Sequence, residues 1–229
     1  MKLEKVLQSQ GFGSRKHCRA LIEGGRVHVA GQGVDDPERE VTLEGLDVEV
    51  DGTSWRCREK VYLALHKPVG VECSHAPSHH ASVFSLLPSF LVERGVQTVG
   101  RLDADTSGLL LLTDDGAFIQ RHTSPKWKVP KVYEVTCAEP VTEAQLEALR
   151  AGVVLADDPS PARGDAQALA ERTLRLTITE GRYHQVRRML AAVGNHVVAL
   201  HRTGVGELSL PQELGPGAWA LVTPLAVGR

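Results

Sequence analysis

Five side chains that can bind, ionise or attack lie within one short segment of this sequence. Gly100-Arg101-Leu102-Asp103-Ala104-Asp105-Thr106-Ser107-Gly108 sets a guanidinium, two carboxylates and two hydroxyls between glycines, and runs directly into Leu109-Leu110-Leu111-Leu112. A polar loop feeding a buried strand is a place where a reactive side chain is held rigidly. The plain alternative is a capped turn in which Asp and Ser accept backbone hydrogen bonds. A second cluster, Glu180-Gly181-Arg182-Tyr183-His184-Gln185-Val186-Arg187-Arg188-Met189, puts Arg187 in the first turn of an expected helix. From there an arginine can pair with a carboxylate on another loop and keep it ionised. Its alternative is an exposed basic helix start. A third, Lys131-Val132-Tyr133-Glu134-Val135, carries a tyrosine on an expected strand. A flat ring beside a site can stack on a nucleobase, whereas most strand tyrosines only pack. Cys73-Ser74-His75 with His79-His80 offers metal-ligand atoms, but the spacing fits no zinc pattern and no second cluster completes it, so no metal site is expected. Gly11-Phe12-Gly13-Ser14 lacks the Gly-Lys-Ser/Thr of a phosphate loop.

The elements that must position these clusters fall into two textures. Leu3, Val6 and Leu7 have helical spacing up to Gly11. Ser14 can cap a second helix with Cys18, Leu21 and Ile22 on one face, closed by Gly24-Gly25. Arg26 to Val29 and Leu46 to Val50 alternate as short strands, turned at Ala30-Gly31 and Asp51-Gly52. A small helix–helix–strand–strand unit over residues 1–58 is expected, followed by a larger domain over 59–229. There Val61 to Leu65, Gly108 to Leu112, Val132 to Cys137 and Leu174 to Ile178 read as strands. Thr142 to Ala151 and His184 to Val193 read as helices, and Lys67-Pro68-Val69-Gly70 as a turn. The expected class is α+β, with a mixed, mostly antiparallel sheet flanked by helices.

The composition excludes other classes. With 229 residues, 42% hydrophobic and 24% charged, the chain is neither disordered nor fibrous. No apolar run approaches a membrane span, and Met1-Lys2-Leu3-Glu4-Lys5 lacks the apolar stretch of a signal peptide, so a cytoplasmic location is expected. Four scattered cysteines suit a reducing compartment. The formal net charge is −2, yet base is segregated around Arg15, Lys16, Arg19 and Arg26, around Lys126, Lys128 and Lys131, and around Arg182, Arg187, Arg188 and Arg202. Acid gathers between Asp35 and Asp51. Such segregation can focus a field toward a polyanion.

Taken together, the motifs resemble the pseudouridine synthases that act on ribosomal RNA. Gly100-Arg101-Leu102-Asp103-x-Asp105-Thr106-Ser107-Gly108-Leu109, Lys67-Pro68-x-Gly70, Lys131-x-Tyr133 and Arg182-Tyr183-His184-Gln185-Val186-Arg187 match that family's motifs, and the N-terminal segment resembles the S4 RNA-binding module. Arg121-His122-Thr123-Ser124-Pro125 and Ala191-Ala192-Val193-Gly194-Asn195-His196-Val197-Val198 point to its small-subunit (16S) rRNA branch. Two departures stand out: Lys2-Leu3-Glu4-Lys5 where Arg-Leu-Asp-Lys is usual, and Ala30 where Asn or Asp precedes the turn glycine.

The resemblance implies that Asp103 is the catalytic aspartate, Tyr133 the active-site tyrosine and Arg187 the basic partner of Asp103. It implies substrate contacts from Arg101, Thr106, Lys131, Tyr183 and His184, with Arg15, Lys16 and Arg19 holding RNA in the N-terminal unit. The expected partner is ribosomal RNA or an assembling small subunit, met by a monomer with no membrane attachment. Isomerising uridine to pseudouridine breaks N1–C1′ and joins C5 to C1′. No water is added and no electrons enter, so no cofactor is implied. One ionised carboxylate suffices, as nucleophile or base. Competing readings are a large-subunit rRNA synthase, a non-catalytic RNA-binding protein, and a metal-dependent phosphoryl-transfer enzyme using Asp103, Asp105, Asp114 and Asp115.

Overall fold

Helical spacing of Leu3, Val6 and Leu7 and of Cys18, Leu21 and Ile22 gives two short helices, Leu3–Ser9 and Arg15–Glu23, and these side chains are buried. Ser14 caps the second by accepting from the His17 N–H. The computed structural model describes residues 1–156 and 158–223, in two compact units. The first consists of Met1–Val61 with Phe84–Gln97 and Thr113–Asp115. Its four-stranded sheet runs Gln32–Gly33, Val27–Val29, Asp47–Val50, Thr53–Arg56. Both hairpin turns have two successive residues at positive φ, Ala30 (49°) with Gly31 (80°) and Asp51 (51°) with Gly52 (78°). That geometry matches the right-handed twist of the strands it joins.

The same unit gathers around Gln10 and Phe90. The Gln10 side chain is fully buried and its oxygen accepts from the Trp55 indole (3.0 Å), the Arg58 amide (3.1 Å) and the Arg94 guanidinium (2.7 Å). Phe90 stacks on Phe12 and meets Trp55 edge-on, each at 5.0 Å between centroids. Gly11, at φ +91°, lets the backbones meet: a Cβ there would lie 1.8 Å from the Phe90 carbonyl oxygen.

The second unit comprises Tyr62–Val83, Thr98–Leu112 and the chain from Gly116 onward. Its main sheet runs in the order Asp165–Ala170, Thr173–Ile178, Lys131–Cys137, Val197–Val205, Thr106–Thr113, Tyr62–Lys67, Trp219–Leu221. The Val197–Val205 strand lies parallel to Thr106–Thr113 and antiparallel to Lys131–Cys137. Alternation sends Leu174, Leu176 and Ile178, and Tyr133, Val135 and Cys137, inward. Ala64, Val99, Leu109, Leu111 and Val205 form a core on which Phe118 and Ile119 of helix Gly116–Thr123 pack. Helix Glu143–Ala151 opens with a capping box in which Thr142 and Gln145 satisfy each other's backbone N–H. The architecture is the expected α+β one with a mixed sheet. Among the described residues no helix is long and apolar enough to cross a membrane.

Candidate active site

The chain leaves strand Tyr62–Lys67 through Pro68 and Gly70 (φ +82°), and the Gly70 N–H donates to the Ala104 carbonyl at 2.7 Å. This ties the first turn to the loop that precedes strand Thr106–Thr113. The loop closes on itself through the Thr106 N–H and the Asp103 carbonyl (3.0 Å). Beneath it lies Lys67, with no exposed surface. Its ammonium donates to the carbonyls of Asp103 (3.0 Å), Thr106 (2.8 Å) and Pro68 (3.0 Å). A buried ammonium is costly unless its donors are used, and here three are. Burial lowers the Lys67 pKa, opposed by Cys73, Asp103 and Asp105. The Leu102 N–H meets Cys73 Sγ at 3.5 Å, so Cys73 too serves the loop backbone.

Asp103 and Asp105 face different partners. His184 Nε2 stands 3.6 Å from Asp103 Oδ2, whereas Arg187 Nη2 reaches Asp105 Oδ2 at 2.9 Å. The pairing of Arg187 with Asp103 is therefore corrected: the arginine does meet a carboxylate of the other loop, but the one two residues on. The Thr106 N–H closes a tight turn onto the Asp103 carbonyl, and from that turn Asp103 meets His184 while Asp105 meets Arg187 one helical turn further on. His184 precedes helix Gln185–Ala192 in a left-handed conformation (φ +46°), strained for a residue with a Cβ. Its ring stacks on Tyr183 at 3.9 Å, and Tyr183 is 71% exposed. Arg182 is held by Asp158 (3.1 Å) and Glu180 (2.6 Å).

The sheet register supplies the floor. Ala166, Leu176, Tyr133, Arg202 and Gly108 lie side by side in one cross-strand row. Gly108 (φ +110°) allows close approach of its strand to the next, since a Cβ would lie 2.2 Å from the Arg202 carbonyl oxygen. Tyr133 is buried, and Arg202 donates from Nε to the Leu109 carbonyl at 2.8 Å. Burial, then the neighbouring Arg202, lowers the Lys131 pKa. A cleft of about 320 Å³ opens above this row, and Arg101, Asp103, Thr106, Lys131, Tyr133, Tyr183, His184 and Arg187 all line it. The structure thus brings eight of the candidate residues into one cavity. It adds Arg202 to the lining and Lys67 beneath the loop, neither of which has an individual role on sequence grounds, and sets Asp105, a candidate only in the phosphoryl-transfer reading, on Arg187.

Arg15, Lys16 and Arg19 belong to the first unit, on helix Arg15–Glu23. Arg15 and Arg19 are committed to the protein: the buried Glu4 carboxylate accepts from Arg15 (2.5 Å) and Arg19 (3.3 Å), and Arg19 also meets Glu23 (3.0 Å). Lys16 is exposed.

The chain has counterparts among known proteins. Residues 61–192 match the family described as RNA pseudouridylate synthase, and residues 1–48 match the S4 domain. The chain belongs to the RNA pseudouridylate synthases, isomerases that act on RNA. It is 38% identical to the ribosomal small subunit pseudouridine synthase A of Escherichia coli strain K12, over 97% of this chain and 96% of that protein. An uncharacterized RNA pseudouridine synthase of Aquifex aeolicus is 39% identical over 97% of this chain and 93% of its own length. A crystal structure of a pseudouridylate synthase superposes with a TM-score of 0.70 at 32% identity, covering 99% of this chain and 98% of that one.

Proposed function

We propose that this enzyme converts a uridine of small-subunit ribosomal RNA to pseudouridine, with Asp103 as the carboxylate that acts at the sugar. The observation that carries this reading is the convergence of Asp103, Tyr133 and His184 on one cleft, with the backbone of the aspartate loop anchored by Lys67. Asp103 bonds to C1′ or removes a sugar proton. Tyr133 offers a flat ring to the uracil. Arg101, Thr106, Lys131, Tyr183 and His184 hold the displaced nucleotide, whose unstacking their contacts offset. Arg187 acts through Asp105, fixing the helix start against the aspartate loop. Residues 1–58 engage RNA through Lys16 and the half-exposed guanidiniums of Arg15 and Arg19, and residues 59–229 carry catalysis.

The enzyme works as a cytoplasmic monomer on rRNA or an assembling small subunit. The similarity to proteins named for the ribosomal small subunit, along nearly the whole chain, supports that substrate over large-subunit rRNA. The test is to map pseudouridine in total rRNA from cells with and without the protein. Loss of one site in small-subunit rRNA is expected; loss confined to large-subunit rRNA overturns the substrate assignment.

A further inference from the structure

We infer that Arg202 is a catalytic residue that donates to a carbonyl of the target uracil and stabilises the base as an anion once it has left the sugar. The inference rests on the pseudouridylation reading above and adds to it how the detached base is held. Arg202 is 3% exposed and lines the cleft, and its Nη2 has no acceptor among the described residues. The Thr106 hydroxyl, 2% exposed and lining the same cleft, is likewise without a partner. A guanidinium only donates, so whatever completes the Arg202 site must present an acceptor or a negative charge.

The register says which part of the substrate that is. Arg202 is the direct cross-strand neighbour of Tyr133, on the same face of the sheet. A base lying on the Tyr133 ring therefore brings its edge to Arg202, while Asp103 at the loop above meets the sugar. The local charge fits this edge. Lys67 and Lys131 both sit close enough to Arg202 to be repelled by it, and neither Lys131 nor Arg202 forms an ion pair among the described residues.

The reaction creates a charge that needs such a site. When N1–C1′ breaks, the electron pair departs on uracil, leaving a monoanion with charge on N1, O2 and O4. This holds whether the Asp103 carboxylate bonds to C1′ or takes the C2′ proton. The base turns, C5 bonds to C1′ as the carboxylate is released or the C2′ proton returned, C5 loses its proton and N1 gains one. Nothing is oxidised, reduced or hydrolysed. A buried cation aimed at the carbonyls lowers the energy of that anion and keeps it from escaping. If the contact is to O4, it also rejects cytosine, which carries a donor there.

The experiment uses the full chain at saturating concentration and the rRNA fragment carrying the mapped target. Single-turnover rates are measured with uridine, 2-thiouridine or 4-thiouridine at that position, for wild type and Arg202→Met. Sulfur is the weaker acceptor. We expect Arg202→Met to lower the saturated rate about 100-fold, with RNA affinity within about threefold. We expect thio substitution at the contacted carbonyl to slow wild type about tenfold and the variant not at all. A rate within about threefold of wild type, or thio penalties equal in both proteins, overturns the proposal. If melting shows Arg202→Met unfolded, Arg202→Lys takes its place, with a diminished thio penalty expected and an undiminished one decisive against it. Wild type inactive on the uridine RNA would fail the pseudouridylation reading instead.

Discussion

Arg187 Nη2 lies 2.9 Å from Asp105 Oδ2, which joins the first turn of helix Gln185–Ala192 to the loop that carries Asp103. Asp105 is largely exposed, so the pair adds little stability, less than about 1 kcal/mol after solvent screening. Its effect is positional. Arg187→Met and Asp105→Asn should each lower the single-turnover rate about tenfold or more, and the double variant should be no slower than the worse single. RNA affinity at two ionic strengths should stay near wild type. If the two losses simply multiply, the pair does not act as a unit.

Lys67 anchors the same loop from below. Lys67→Met leaves the carbonyls of Pro68, Asp103 and Thr106 without their donor, at a cost of about 2 kcal/mol, or a fall of about 4–8 °C in Tm. Turnover should fall further than folding explains, about 100-fold, because the Asp103 loop loses its register.

The pH dependence follows from burial, which lowers the Lys67 and Lys131 pKa values in the folded protein. Between those lowered values and the ordinary lysine value the unfolded chain binds more protons, so these two groups make stability rise with pH there, and their penalty is full below that window. Turnover should therefore decline on the alkaline side beginning below the ordinary lysine range, with no matching loss of Tm. A decline that tracks melting at each pH would contradict this.

In the first unit, three neighbouring cations separate into two roles. Glu4 has a buried carboxylate, and Arg15 and Arg19 close over it. Glu4→Gln should lower stability by about 1–2 kcal/mol, discounted for the half-exposed arginines. Lys16→Gln should leave Tm unchanged and flatten the salt dependence of RNA binding by about 0.7–0.9 in the log–log slope. Unchanged affinity and slope in Lys16→Gln would remove it from the RNA surface.

Much of the fold was legible because its pattern is period-driven. The leucine run became strand Thr106–Thr113, Ser14 and Thr142 are helix caps, and the turns at Ala30-Gly31 and Asp51-Gly52 have the φ signs that hairpins demand. Strand Val197–Val205 was legible only as a motif, since His201, Arg202 and Gly204 interrupt its apolar pattern. Helix Gly116–Thr123 offers only Phe118 and Ile119 as an apolar face. Segment Phe84–Gln97 joins the first unit through Phe90 and Arg94, a long-range association that no local spacing announces.

The candidate site was legible where a residue type repeats a recognisable motif, as at Asp103, Tyr133 and His184. It was hidden where charge is buried. In a sequence Lys67 and Arg202 look like surface bases, yet the fold places both at less than 5% exposure. Arg15 and Arg19 err the other way: they look like RNA ligands and spend much of their hydrogen-bonding capacity on Glu4.

The most direct test of the account is single-turnover conversion of the target uridine in small-subunit rRNA by wild type beside Asp103→Asn, with RNA affinity and Tm recorded for both. The exchange removes the carboxylate at nearly constant volume, and the loop is held through its backbone, so folding and binding should persist. The account predicts pseudouridine from wild type and a variant rate below about one-hundredth of it. A folded Asp103→Asn variant that turns over within about tenfold of wild type would contradict it.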